Sequence, residues 1–343
     1  MKLSEFDFDL PPELIAQNPA EKRSDSRLML LDRAKSGIRH ETFAYLLDFL
    51  KPGDLLVLND TRVIPARLYG RKESGGKVEI FLVERLSPDA SEWECMSKSS
   101  RPLKSGTKLL FDGGLTGELL TDSGRTRTIR FHFDGELAAH LEKIGHVPLP
   151  PYIDRQDKSH DRDRYQTVFA REDGALAAPT AGLHFTTEII AGAMAAGVDV
   201  HYVTLHVGLG TFVPVQVEHI PDHTMHEERY VVSTETAAAI TQAKREGRRV
   251  IAVGTTVART LESVFDAESG SVRAGAGKTA IFIYPGYRFR AVDVLLTNFH
   301  LPKSTLLMLV SAFAGRDFIM QAYQEAIAAG YRFYSYGDCM LIQ

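Results

Sequence analysis

Hydrophobic positions change their period several times along this chain. RLMLLDR carries an apolar run suited to a buried strand, ETFAYLLDFL spaces its apolar residues as a helix closed by Pro52 and Gly53, and DLLVLND is again continuously apolar. The pattern predicts strand, helix and strand over 28–58, an α/β opening. Between 66 and 133 the texture becomes short alternating runs (ARLYGR, KVEIFLVER, EWECMSK, TKLLF, LTGELL, RTIRFHF) separated by Gly-Gly, Asp-Gly-Gly and Asp-Ser-Gly turns. Such runs predict an all-β barrel or sandwich. The α/β texture then returns, with TTEIIAGAMAAG as helix, VDVHYVTL as strand, TETAAAITQAKREG as helix after Ser233, RRVIAVG as strand and TTVARTLESVF as helix. The expected fold is therefore α/β: a discontinuous domain over 1–65 and 150–343, with an all-β domain inserted at 66–149.

Composition adds boundaries to this picture. The 343 residues suit about two domains, and 44% hydrophobic with 24% charged residues is ordinary for a folded globular chain. Forty Lys and Arg against 44 Asp and Glu give a net charge of −4, so no global field draws the protein to nucleic acid or an anionic membrane. Any polyanion must be met by a local patch. Cys95 and Cys339 form no CxxC pair, which argues against a disulfide framework or a cysteine zinc site and suits a reducing cytoplasm. The start MKLSEFDFDLPPEL lacks the basic and apolar regions of a signal peptide, and LLMLV is too short to span a bilayer, so neither secretion nor a membrane partner is expected.

Candidate chemistry collects at predicted strand ends. Asn59, Asp60, Thr61 and Arg62 follow LLVL; His206, Gly208 and Gly210 follow VDVHYVTL; Gly254, Thr255 and Thr256 follow RVIAV; Asn298, Phe299 and His300 follow VDVLLT. Ligands of open α/β sheets bind at that edge, so the recurrence points to one convergent pocket, although each group alone could be a cap or turn. His184 ends the small-residue stretch AAPTAGLHF, which could equally be a core linker. His219, His223 and His226 crowd with Glu227 and Glu228 in HIPDHTMHEER, a set suited to acid/base work or to a metal, though without HExxH spacing and with Pro221 interrupting any helix. Gly275–Thr279 resembles the end of a phosphate-binding loop, but Val272 stands where its first glycine belongs and the stretch precedes the predicted strand TAIFIY. Residues 98–130 hold seven basic and three acidic residues, including Lys98, Arg101, Lys104 and Lys108 with no acid between them. Clustering against the overall sign is what phosphate contacts need, and a solvated face is its plain alternative.

In order, DFDLPPELIAQ, LVLNDTRVIPARL, GALAAPTAGLHFT, TLHVGLGTFVPV, MHEE, VGTT, LLTNFHLPKSTLLMLVSAFAG and YRFYSYGDCMLI run nearly end to end through the chain. Together they resemble the S-adenosylmethionine:tRNA ribosyltransferase-isomerases of queuosine biosynthesis. The resemblance implies a mixed α/β sub-barrel domain with an inserted β-barrel. It also implies transfer and isomerisation of the ribosyl part of S-adenosylmethionine onto 7-aminomethyl-7-deazaguanine at the tRNA wobble position, giving epoxyqueuosine, adenine and methionine. S-adenosylmethionine is then a consumed co-substrate, no further cofactor or metal is required, and the partner is a tRNA carrying the aminomethyl base, met by a monomer. Such a reaction needs a base for a C5′ proton acidified by the sulfonium and an acid for the departing adenine. His184, His206, His226, Glu227 and His300 are the candidates. Asp60, Thr61, Arg62, Gly208, Gly210, Thr255, Thr256, Arg259 and Asn298 are candidates for binding the co-substrate, and Lys98, Arg101, Lys104 and Lys108 for binding RNA. Phe185, Phe212 and Phe299, beside the histidines, could stack on an extruded base. A non-catalytic tRNA-binding protein and a metallohydrolase at His223 and His226 are the competing readings.

Overall fold

A computed structural model describes residues 1–208 and 215–343. The chain runs through β1 (Arg27–Asp32), β2 (Gly37–Thr42), β3 (Leu55–Asn59) and β4 (Thr61–Val63). Six strands follow: β5 (Arg67–Lys72), β6 (Lys77–Arg85), β7 (Glu92–Ser99), β8 (Lys108–Phe111), β9 (Thr116–Asp122) and β10 (Arg127–His132). Next come α1 (Leu137–Ile144), α2 (Asp161–Arg164), β11 (Glu172–Ala175), α3 (Thr187–Ala195), β12 (Asp199–His206), β13 (Glu228–Val232), α4 (Thr234–Arg245), β14 (Val250–Val253) and α5 (Thr255–Val264). The chain closes with β15 (Phe265–Asp266), β16 (Ser271–Val272), β17 (Gly275–Thr279), β18 (Val294–Asn298), α6 (Thr305–Ala314), α7 (Arg316–Ala328) and β19 (Cys339–Ile342). Contacts divide it into one unit of Met1–Arg62, Pro151–Arg155 and Asp163–Gln343, and a second of Val63–Pro150 and Gln156–Arg162.

The first unit is built on a nine-stranded sheet in the order β17-β13-β12-β3-β14-β18-β19-β1-β2. Alternation along its central strands explains why both faces are covered. Leu55 and Val57 of β3, Val250 and Ala252 of β14 and Leu295 of β18 join one core with Ile240, Val257, Leu261 and Val310 from the helices. Leu56 and Leu58, Ile251 and Val253, and Val294 and Leu296 join the other with Phe43, Phe185 and Ile189. A strand buried on both faces reads as a continuous apolar run, and these do. β12, β3, β14 and β18 run parallel, so His206, Asn59, Val253 and Asn298 end on one edge. β19 runs against β18, which brings the residues ahead of Cys339 to that same edge.

The second unit contains a closed antiparallel barrel in the order β10-β7-β6-β5-β8-β9. Leu68, Ile80, Leu82, Cys95, Leu109, Leu119 and Ile129 fill it, all fully buried. Gly70 is required within it, because a Cβ there would lie 2.6 Å from both the Leu110 carbonyl oxygen and the Phe111 ring.

Two expected elements differ. ETFAYLLDFL is not an α-helix: Glu41 and Thr42 pair with β1, and Phe43–Phe49 forms a 3₁₀-helix that buries Phe43 and Leu46, three residues apart. Three residues per turn stack those two side chains on one face. The strand expected at TAIFIY lies earlier, at β17, where Gly275–Thr279 pairs antiparallel with β13. Gly277 lets the Tyr230 hydroxyl lie 2.5 Å from where a Cβ would stand, so this glycine serves packing within a sheet and not a phosphate loop.

At the opposite edge, buried Asp54 accepts from the Lys51 backbone N–H at 2.7 Å and from Arg249 Nε at 2.8 Å, tying the starts of β3 and β14 together. Asp54→Ala is expected to lower unfolding free energy by about 2–3 kcal/mol, somewhat less than a fully buried broken pair because Arg249 keeps a carbonyl partner in Phe49. Urea denaturation checks this; a loss below about 0.5 kcal/mol would show the pair to be dispensable.

Candidate active site

The carboxyl edge of the parallel strands surrounds a cavity of about 420 Å³, within the range of small-molecule sites. Loops at the strand ends and two helix starts make its wall. Gly254, with φ +93°, turns β14 into α5 and presents Thr255 and Thr256 in the first helical turn. Few residues other than glycine adopt that φ. Arg259 follows Thr255 by four residues and Thr256 by three, and so faces the cavity with them. Ser304 caps α6 by accepting from the Leu307 N–H at 3.1 Å, and Ser304 and Thr305 also border the space. The positive ends of both helices make this wall favourable to negative charge.

The opposite chemistry is supplied by aromatic and histidine side chains. Tyr152, Tyr165 and Tyr334 line the cavity, with the rings of Tyr152 and Tyr334 4.7 Å apart and the Tyr152 hydroxyl 2.6 Å from Ser335 Oγ. Burial pushes the Tyr152 hydroxyl up to about 12, so it stays protonated and can donate. Tyr334 is one of the few non-glycine residues with positive φ, at 72°. Hydrogen bonds hold that conformation: its N–H donates to the Phe299 carbonyl, and its own carbonyl accepts from Asn298 Nδ2 at 2.9 Å.

Asn298 decides the role of His184. Because its Nδ2 is committed to Tyr334, its Oδ1 must accept from His184 Nε2–H, 3.0 Å away, which fixes the imidazole tautomer. His184 is buried against Phe43, and burial lowers its pKa to about 4. It does not line the cavity. As an acid or base it is displaced by its own burial; it positions Asn298 from behind the wall. His300 does line the cavity, with Nε2 3.0 Å from Thr297 Oγ1 and its backbone N–H donated to the Tyr323 hydroxyl. Burial lowers its pKa to about 3, so it faces the cavity as a neutral imidazole. His226 also lines the cavity, from an exposed loop. His223, which the sequence placed in the same histidine and carboxylate set, lines it too, with its pKa lowered by burial and by the neighbouring His226.

The remaining candidates divide. Asp60 is buried and accepts from Arg171 Nη2 at 2.7 Å and Thr204 Oγ1 at 2.7 Å, which commits it to holding the chain in place. Thr61 Oγ1 lies 2.8 Å from His206 Nδ1, Arg62 lies 3.7 Å from Asp173, and burial lowers the His206 pKa. Neither these four nor Gly208 lines the cavity, although Val207 does. Gly210 and Phe212 fall outside the described residues. Phe185 and Phe299 are completely buried, which leaves neither a free face for stacking on a base. Glu227 points outward to Lys278 at 2.9 Å, and its neighbour Glu228 turns inward to bond Arg259. β13 begins at Glu228, so that only the second of these two carboxylates belongs to the strand. Lys98, Arg101, Lys104 and Lys108 are all exposed in the barrel unit; Lys98 stands opposite Glu79 and Lys108 opposite Glu118, so part of their charge is offset locally. Among the described residues no group of three His, Cys, Asp or Glu is placed to hold a metal ion, and no helix is long and apolar enough to cross a membrane.

A family profile described as queuosine biosynthesis protein matches residues 3–342. The chain belongs to that family. It is 55% identical over 344 residues to the S-adenosylmethionine:tRNA ribosyltransferase-isomerase of Syntrophotalea carbinolica, and 56% identical over 346 residues to that of Symbiobacterium thermophilum, with each chain covered completely. The crystal structure of S-adenosylmethionine tRNA ribosyltransferase from Thermotoga maritima superposes with a TM-score of 0.57 at 41% identity, covering 99% of this chain and 100% of that one. Within this queuosine-family chain, a mixed α/β sheet and a closed six-stranded barrel are both present, as the resemblance implied.

The two buried histidines make stability depend on pH. Each titrates near 6.5 when unfolded, but His184 and His300 resist protonation in the fold down to about 4 and 3. Below 6.5 the unfolded chain therefore binds more protons, so the stability present above 6.5 is lost as pH falls through about 4. For His184 the loss amounts to about 3 kcal/mol by pH 4. Melting temperature measured from pH 7.5 to 4 is expected to fall, and His184→Gln, which keeps a donor for Asn298 but cannot titrate, is expected to flatten the slope. An unchanged slope in that variant would show that His184 is not the group responsible.

Proposed function

We propose that this protein transfers and isomerises the ribosyl moiety of S-adenosylmethionine onto the 7-aminomethyl group of 7-deazaguanine at the tRNA wobble position, releasing adenine and L-methionine and leaving epoxyqueuosine in the tRNA. Its membership of the queuosine family supports the reaction class. The observation that carries the assignment to this cavity is that one small-molecule space combines a buried ion pair, three tyrosines and histidines on more than one wall. Tyrosine faces suit a sulfonium, which is a cation of low hydration. S-adenosylmethionine is consumed as a co-substrate, and the sulfonium itself supplies the electron sink, so the chemistry asks the protein for positioning and proton transfer without a further cofactor. A tRNA substrate places the work in the cytoplasm.

Proton transfer falls to the histidine loop in this reading. His300 is held neutral by burial and, with Nε2 bonded to Thr297, serves best as a hydrogen-bonding group toward the ligand. His226 and His223 share the cavity rim, and burial together with the neighbouring His226 lowers the His223 pKa, which keeps a neutral imidazole available there to take the C5′ proton. Loss of adenine, attack of the aminomethyl nitrogen at C1′ and closure of the epoxide with departure of methionine complete the exchange. His226→Ala is expected to reduce turnover at least tenfold while leaving the melting temperature within about 2 °C, because the side chain is exposed. Purified protein with S-adenosylmethionine and precursor-bearing tRNA is expected to release adenine and methionine in equal amounts; S-adenosylhomocysteine in their place would mean methyl transfer.

Phosphate contacts are assigned to the exposed basic segment of the barrel unit. Arg101 and Lys104 lie in the connection between β7 and β8, away from the acidic partners that face Lys98 and Lys108. Replacing Lys98, Arg101 and Lys104 together by Ala is expected to weaken tRNA binding and reduce the slope of log affinity against log salt by about 2. An unaltered slope would make this segment an ordinary solvated face.

A further inference from the structure

Among the described residues, Glu228 and Arg259 stand out as the one ion pair on the cavity wall that is closed to bulk water on both sides. Their side chains are 7% and 5% exposed, and Arg259 Nη1 donates directly to Glu228 Oε2. Arg259 uses a single terminal nitrogen in this bond, and its Nε–H has no partner among the described residues. A buried guanidinium donor left unpaired is costly, and the cost is removed if a ligand supplies the acceptor. Both residues line the cavity, and so do Thr255 and Thr256, one helical turn before Arg259, where α5 starts without a side-chain cap among the described residues.

An α-amino acid end carries a carboxylate and an ammonium two bonds apart on one carbon. A guanidinium beside a carboxylate is its electrostatic complement. Resting on the functional reading above, we infer that the Glu228–Arg259 pair is the specificity determinant for the amino-acid end of the co-substrate. Arg259 receives the carboxylate together with the start of α5, and Glu228 both orients Arg259 and receives the ammonium. The pair discriminates against a ligand lacking the carboxylate because the Arg259 Nε–H would remain buried without an acceptor. Glu227, one residue earlier and exposed beside Lys278, takes no part.

The test compares ligands on the intact protein before any residue is changed. Competition binding is measured for S-adenosylmethionine, its decarboxylated analogue and its methyl ester. Both altered ligands are expected to bind at least tenfold more weakly than the parent to the wild-type protein. In Arg259→Gln the parent ligand is expected to weaken and the difference among the three to shrink to within about threefold; Glu228→Gln, which keeps the hydrogen bond, is expected to show a smaller version of the same collapse. Binding of all three with equal affinity to the wild-type protein overturns the inference, as does an undiminished preference in a folded Arg259→Gln protein. Failure of the functional reading has a separate signature, the absence of paired adenine and methionine release, and the binding comparison does not depend on turnover.

Discussion

A parallel arrangement of strands forces their carboxyl ends onto one edge, and this constraint generates the site. β12, β3, β14 and β18 run the same way through the centre of the sheet. Each therefore delivers its following loop to the same side, and β19, running the other way, adds the residues that precede it. Once the central strands are committed to burial on both faces, polar groups can appear only where the strands end. The cavity forms there because the loops must diverge to enter helices or neighbouring strands.

Polar groups at that edge do two kinds of work, and hydrogen-bond satisfaction separates them. Asn59 spends both ends of its amide on backbone: Oδ1 accepts from the N–H groups of Leu205 and Thr61, and Nδ2 donates to the Leu205 carbonyl. It seals β3 to the end of β12. Asp60 is similarly occupied by Arg171 and Thr204. Asn298 is intermediate, since it borders the cavity while His184 and Tyr334 fix both ends of its amide. Groups with unused capacity, such as Arg259 Nε and the loop histidines, are the ones left for a ligand. A residue that completes the wall and a residue that performs chemistry can look identical in sequence while differing in this respect alone.

Burial has a second effect, on charge. Histidine is the usual carrier of protons near neutral pH, yet His184 and His300 are pushed far below that range by removal from water. A neutral imidazole can orient an amide or a ligand, but it holds no proton to give as a cation. In the proposed function the histidines divide by depth: the deep pair is held neutral by burial, and the loop pair at the rim is assigned the proton transfer.

Periodicity alone determined the class of fold, because continuous apolar strands with intervening helical patterns admit few arrangements other than a covered sheet, and the short alternating runs between them read as a separate antiparallel body. Strand-end motifs also placed Gly254, Thr255, Thr256, Asn298 and His300 in a common pocket, as parallel topology favours, whereas Asn59 to Arg62 and His206, expected there by the same logic, lie off it. The sequence also carried the family resemblance, in motifs distributed along the whole chain. What it left open depended on side-chain direction and depth. Glu227 and Glu228 are adjacent and chemically alike, yet Glu227, just ahead of β13, bonds Lys278 while Glu228, its first residue, bonds Arg259. Phe185 and Phe299 lie beside histidines in the chain but sink into the two cores. The stretch ETFAYLLDFL carried helix-like spacing, yet Glu41 and Thr42 pair with β1 and the Phe43–Phe49 that follows forms a 3₁₀-helix. In each case a contact distant in sequence chose between local alternatives of similar energy, and such contacts exist only once the chain has folded.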